Sequence, residues 1–146
     1  MALQRNGQNG KLTTLEASPY RLRLAKELHK NLGLENVTYV AGLFSETLHK
    51  VLDNINVVDF AFIDGNHKYQ PTLDYYNAVL SHTANSAIFI FDDIRWSYGM
   101  KQAWSKIQGD DRMEMSIDLH SMGLCIGLQE PPAKRYQYPP IHCILF

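Results

Sequence analysis

Apolar stretches alternate with helically spaced apolar positions along most of the chain, which is the rhythm of βαβ units. Leu12–Glu16 reads as a short strand ending in a carboxylate. Ser18 offers an N-cap and Pro19 suits the first helical position. Leu24, Ala25, Leu28 and Leu32 then recur at helical spacing, and Gly33 closes the helix. Val37–Val40 is the next strand, followed by a helix marked by Phe44, Leu48, Val51 and Leu52.

Val57–Ile63 is an apolar run broken only by Asp59, as expected of a strand buried on both faces of a parallel sheet. It stops at Asp64-Gly65-Asn66-His67. A helix is expected from about Pro71, with Leu73, Tyr76, Val79 and Leu80 inward. Ala87–Phe91 is a second buried run, and it too stops at acids, Asp92-Asp93. Met100, Ala103, Trp104 and Ile107 keep the spacing of an amphipathic helix. The rhythm then changes: Met113–Leu119 and Gly123–Leu128 flank a turn near His120–Met122, which predicts an antiparallel hairpin. From Glu130 on, Pro131, Pro132, Pro139 and Pro140 predict an extended tail, so residues 1–128 form the expected domain and 129–146 the tail. The apolar end, Ile141–Phe146, reads as a packed edge or a contact surface.

Composition narrows the function classes. The 146 residues suffice for one domain and not for two. A net charge of −1 argues against a nucleic-acid polyanion as the main partner. No apolar run is long enough for a bilayer span, and the polar start lacks a signal core, so a cytoplasmic protein is expected. Cys125 and Cys143 have no metal or disulfide spacing and read as reduced thiols.

Ligands of open α/β sheets bind beyond the carboxyl ends of the strands. Three strands here end in acids: Glu16, Asp64 and the pair Asp92-Asp93. Oxygen ligands from adjacent strand ends suit Mg²⁺, which could lower the pKa of a substrate hydroxyl. Alternatively Asp93 caps the following helix and Asp92 closes a turn. His67 is placed to act as a general base or a ligand, or else is a surface loop residue. Glu16 could accept from a ribose diol, or sit as a solvent-facing acid near a helix N-terminus. Tyr69, Trp96 and Tyr98 are candidate pocket walls or packing lids, and Arg95 is a candidate for an acidic substrate group.

The run Asp59-Phe60-Ala61-Phe62-Ile63-Asp64-Gly65-Asn66-His67-Lys68-Tyr69, with Phe91-Asp92-Asp93-Ile94 after it, resembles class I S-adenosylmethionine-dependent methyltransferases. Within these it looks most like small-molecule O-methyltransferases with an Asp-Gly-x-His-x-Tyr loop, the macrolide-sugar type. Thr13-Thr14-Leu15-Glu16 resembles the second strand of that fold. The resemblance covers about residues 10–128 and implies a doubly wound, Rossmann-like α/β sheet with an antiparallel C-terminal hairpin. It implies S-adenosylmethionine held by Glu16, and Mg²⁺ held by Asp64, Asp92 and Asp93. His67 matches the family's base, with Asp64 beside it, and the acceptor would be a small-molecule hydroxyl.

Two departures qualify this. The stretch Ala41-Gly42-Leu43-Phe44 lacks the acid that often approaches the adenine, leaving backbone and apolar contacts such as Leu43. The first strand and its Gly-x-Gly loop should precede Leu12, where only Met1–Lys11 stands. The sheet is therefore expected to have a central gap between Leu12–Glu16 and Val57–Ile63, through a missing N-terminal part, decay, or a partner that completes it. A chain with that gap should be poorly stable or associate with itself, as a homo-oligomer. The reading from a different class is a non-catalytic interaction module that kept the fold. A metal-dependent hydrolase finds no nucleophile motif.

Overall fold

The structure, a computed structural model, describes residues 10–128 and 142–146. Its elements are β1 (Lys11–Glu16), α1 (Pro19–Asn31), β2 (Val37–Ala41), α2 (Phe44–Leu52), β3 (Val58–Ile63), α3 (Tyr69–Leu80), β4 (Thr83–Phe91), α4 (Tyr98–Gln108), β5 (Met113–Asp118), β6 (Gly123–Leu128) and β7 (His142–Leu145). The expected α/β alternation and C-terminal hairpin are both present. Helix α3 begins at Tyr69, two residues before Pro71, which leaves the proline in the first turn where its missing N–H is harmless.

The strands form one seven-stranded sheet in the order β2-β1-β7-β3-β4-β6-β5. Strands β2, β1, β7, β3 and β4 run parallel, and β6 is antiparallel to both β4 and β5. The expected central gap is closed. β7 lies parallel between β1 and β3, pairing Leu12 with Cys143 on one side and Phe60 with Cys143 on the other. The end of the chain is thus an interior strand and not an edge: Ile144 is 0% exposed and Phe146 5%. The unpaired backbone that made instability an expectation now has its partners, including Phe146 N–H to the Phe62 carbonyl at 3.0 Å. Residues 129–141, the rest of the expected tail, lie outside the described residues.

Because side chains alternate across a sheet, the register sorts the two faces. Leu15, Ile144, Ala61, Ile63, Phe89, Phe91 and Cys125 belong to the core with residues of α2, α3 and α4. Tyr76 of α3 meets Phe89 and Phe91 edge-on, and Trp104 of α4 lies against Phe91. The opposite face carries two lateral rows. One is Val37, Leu12, Cys143, Phe60, Ile88, Ile126 and Met115; the other is Tyr39, Thr14, Leu145, Phe62, Ile90, Leu124 and Ile117. Of the four described helices only α1 lies on this side, at the β2–β1 end, where His29 stacks on Tyr39 and bonds its hydroxyl at 2.8 Å. None of the described helices is long and apolar enough to cross a membrane.

Candidate active site

The carboxyl ends of β1, β7, β3 and β4 lie side by side, so the residues that follow them share one crevice. A cavity of ≈ 550 Å³ there is lined by Glu16, Ala17, Arg21, Phe44, Asp64, Gly65, Asn66, His67, Leu145 and Phe146, among others. Its size is within the usual range of small-molecule pockets. A second cavity of ≈ 550 Å³ lies between α2 and α3 and shares Phe44 and Asn66 with it. That one holds none of the strand-end acids, so the chemistry belongs to the first.

The loop after β3 is shaped by its backbone. Asn66 has φ 63°, in the left-handed region that Asn tolerates better than most residues. A Cβ on Gly65 would run into the Phe44 ring, so glycine is needed for that ring to pack here. The ring in turn meets Tyr75 and Phe146 edge-on at 5.9 and 5.5 Å. The turn after β4 is constrained in the same way: Asp93 has φ 52°, and Asp92 N–H is bonded to the Ile63 carbonyl at 3.0 Å. Strained backbone of this kind gathers at working sites.

These two loops bring His67 between two acids. Its Nε2 stands 3.6 Å from Asp64 Oδ1 and 3.7 Å from Asp93 Oδ2. The imidazole is half-buried, and Trp96 lies beside it with ring centroids 6.2 Å apart. Burial holds the Asp64 carboxyl above its usual pKa, with Asp92 and then Asp93 adding to the rise, while His67 and Arg21 oppose it. That mutual repulsion is what a cation placed among them would relieve. Asp93 is not the cap of the next helix. Ser97 is, accepting from Met100 N–H at 3.1 Å, so the capping alternative for Asp93 falls away.

The expected Mg²⁺ set does not assemble. Among the described residues no group of three or more His, Cys, Asp or Glu side chains is arranged to hold a metal ion. The inward groups here are one imidazole with a carboxylate on either side, an arrangement that suits a mobile proton. Asp64, Asp92 and Asp93 are neighbours, but they do not fit as a coordination sphere.

Glu16 stands both at the start of α1 and on the cavity wall. Its Oε1 accepts from Ser18 N–H at 2.7 Å at the start of α1, and the residue also lines the cavity. A carboxylate has lone pairs beyond that one contact. Leu43 stands exposed at the N-cap of α2, and its neighbour Phe44 is the one on the cavity wall. Arg95 is engaged at the surface within the chain: its Nη2 donates to Asp118 Oδ2 at 2.8 Å, and Ile94 N–H bonds the Ser121 carbonyl at 3.0 Å. These contacts tie the Asp92–Asp93 loop to the β5–β6 turn. Tyr98 is exposed at the start of α4, and Tyr69 packs near Gly99. Sequence reasoning passed over Asn66, Arg21, Leu145 and Phe146. Only Asn66, next to a glycine at a strand end, carried a local signal.

Comparison with known proteins places this site in a family. Residues 1–94 match the model of a methyltransferase domain, and the chain belongs to that family. An uncharacterized protein of Acanthamoeba polyphaga mimivirus is 34% identical over 71 residues, covering 46% of this chain and 32% of that protein. The fold is similar to the O-methyltransferase from Bacillus cereus solved in complex with SAH, at TM-score 0.66 and 19% identity over 82% of this chain and 63% of that one. It is equally similar to TomG of Streptomyces achromogenes, an O-methyltransferase of tomaymycin synthesis solved with SAM, at TM-score 0.66 and 16% identity over 82% and 63%. The chain therefore spans less than two thirds of the length of these relatives. At such identities the likeness establishes the Rossmann-like methyltransferase fold.

Proposed function

We propose that this chain carries an S-adenosylmethionine-dependent O-methyltransferase site in which His67 takes the proton of a small-molecule hydroxyl. The observation that supports it is the placement of His67 Nε2 between Asp64 and Asp93, at the rim of a cavity that Glu16 also lines. The size of the cavity and the Glu16 carboxylate on its wall support a place for the cofactor. Glu16 would hold the ribose diol, and Phe44, Leu145 and Phe146 would offer apolar contact. When bound, the cofactor supplies an electrophilic methyl group on sulfur.

The acceptor hydroxyl approaches His67 from the side of Trp96. With the cofactor held there, His67 Nε2 would take the proton of the acceptor hydroxyl, and Asp64 and Asp93 on either side would hold the imidazole for that transfer. The charge that His67 gains is offset by the two flanking carboxylates, each worth about 1 kcal/mol or less at this exposure. Most of the rate would come from holding the two reactants in line. No step passes through a metal ion, since the acids do not fit one.

A second reading has its own support. At the place where the resemblance calls for a glycine loop, the structure has the end of β7, with Leu145 and Phe146 against the cavity. With β7 in that place the sheet is whole, and the chain would then serve as a non-catalytic interaction module. Calorimetry with S-adenosylhomocysteine separates the two. The enzyme reading expects saturable binding that Glu16→Gln weakens at least tenfold. Absence of binding to a folded chain would support the module instead.

A further inference from the structure

Asp118 ends β5, on the hairpin, and its carboxylate collects donors from three separate segments. Arg95 Nη2, from the turn after β4, reaches Oδ2 at 2.8 Å. Trp104 Nε1, from α4, reaches the same oxygen at 3.3 Å. His120 N–H, from the β5–β6 turn, reaches Oδ1 at 2.8 Å. The His120 bond above all, with Trp104 and Arg95, holds the carboxyl below its usual pKa. Gly123 makes room for the indole, since a Cβ there would run into the Trp104 ring.

The hairpin itself needs only part of this. The His120 bond shapes its turn, where His120 has φ 73°, and the Trp104 bond satisfies a buried indole. The Arg95 arm serves neither purpose. Its side chain is 47% exposed, and an isolated pair of that kind stabilises little. What it fixes is direction. In the chain Arg95 lies between Asp93, whose carboxylate stands 3.7 Å from His67 Nε2, and Trp96, whose ring lies 6.2 Å from the imidazole. Asp93 has φ 52°, and its carbonyl accepts from Trp96 N–H at 2.9 Å, which makes the turn one piece. Backbone of that kind persists only where its surroundings hold it. Ile94 N–H to the Ser121 carbonyl, and Arg95 to Asp118, tie it to the hairpin.

We propose that Asp118 is a positioning residue that acts through Arg95, holding the turn after β4 so that the Asp93 carboxylate and the Trp96 indole stand beside His67. The placement stands on geometry alone, and its effect on turnover rests on the methyltransferase reading.

Fluorine NMR of the full chain labelled with 5-fluorotryptophan tests the placement without any activity. The two tryptophans give two resonances, assigned by Trp96→Phe. In the unmodified background, His67→Ala should move the Trp96 resonance. In Arg95→Ala and in Asp118→Ala the same replacement should leave it in place, because the turn no longer sets the indole beside residue 67. Arg95→Ala keeps the Trp104 and His120 bonds, so it carries the test if Asp118→Ala fails to fold. Arg95→Lys retains a charged donor and should restore the response, which general loosening would not allow. A response that persists in Arg95→Ala would overturn the proposal, and so would a loss that Arg95→Lys does not restore. In methyl transfer, Arg95→Ala should lower kcat about tenfold or more with the KM for S-adenosylmethionine unchanged, since ångström-scale misplacement costs up to about a hundredfold. An undiminished kcat would also overturn it. An inactive unmodified chain would sink the methyltransferase reading instead, with the placement still decided by the fluorine response.

Discussion

Replacing Ile144 with alanine removes three carbons from the middle of β7, where the side chain is 0% exposed and belongs to the core. Its neighbours in the register are Thr13 of β1 and Ala61 of β3, both on rigid strands, so the walls have little freedom to collapse onto the space left behind. Ile→Ala in such a site costs about 2–5 kcal/mol, the upper part of the range applying where the cavity persists. Taking about 3 kcal/mol, the melting temperature should fall by roughly 6–12 °C for a chain of this length. Leu119→Ala is the control: Leu119 is 55% exposed at the β5–β6 turn, and its truncation should cost about 0.5 kcal/mol or less. Urea unfolding followed by circular dichroism, at one fixed protein concentration because association shifts the midpoint, gives both values. An Ile144→Ala loss no larger than the control would refute the placement of β7 in the centre of the sheet.

Two further outcomes follow from titratable groups with shifted pKa values. Asp110 accepts from Arg112 through Nε at 2.8 Å and Nη2 at 2.6 Å and from the Tyr76 hydroxyl at 2.9 Å, and these bonds, Arg112 first, hold its carboxyl far below the usual range. A depressed folded pKa stabilises above the unfolded value near ~3.9 and loses that contribution as pH falls through the folded pKa. The stability gap between the protein and Asp110→Asn should therefore be full at neutral pH and shrink as pH falls below about 4 in urea titrations; a gap constant with pH would contradict the assignment. Burial pushes the Cys125 thiol up to about 12 and the Cys143 thiol up to about 11. Neither should react with a disulfide reagent near pH 8 until the protein unfolds, and early reaction of Cys143 alone would show β7 leaving the sheet.

Much of the fold was legible because it rests on local pattern. The helical spacing of Met100, Ala103, Trp104 and Ile107 and the apolar run of β3 declare their type, and the acids that end β1, β3 and β4 mark the crevice. The position of β7 was not legible. Four residues after a proline-rich stretch carry no signal for which strands they join, because that is set by the space between β1 and β3 and not by their own sequence. The neighbourhood of His67 was not legible for a related reason: spacing places Asp64, Asp92 and Asp93 at one edge, but backbone geometry at Asn66 and Asp93 decides that His67 stands between two of the acids. Arg95 could not be read as engaged, since its partner Asp118 lies 23 residues away on the hairpin.

The most direct test of the catalytic account is transfer of a labelled methyl group from S-adenosylmethionine to a panel of phenolic and sugar hydroxyls, comparing the chain with His67→Ala. A positioned general base contributes about 10²–10⁴-fold, so the variant should lose at least about a hundredfold in kcat while S-adenosylhomocysteine still binds. Transfer undiminished in His67→Ala would contradict the role assigned to the imidazole between Asp64 and Asp93.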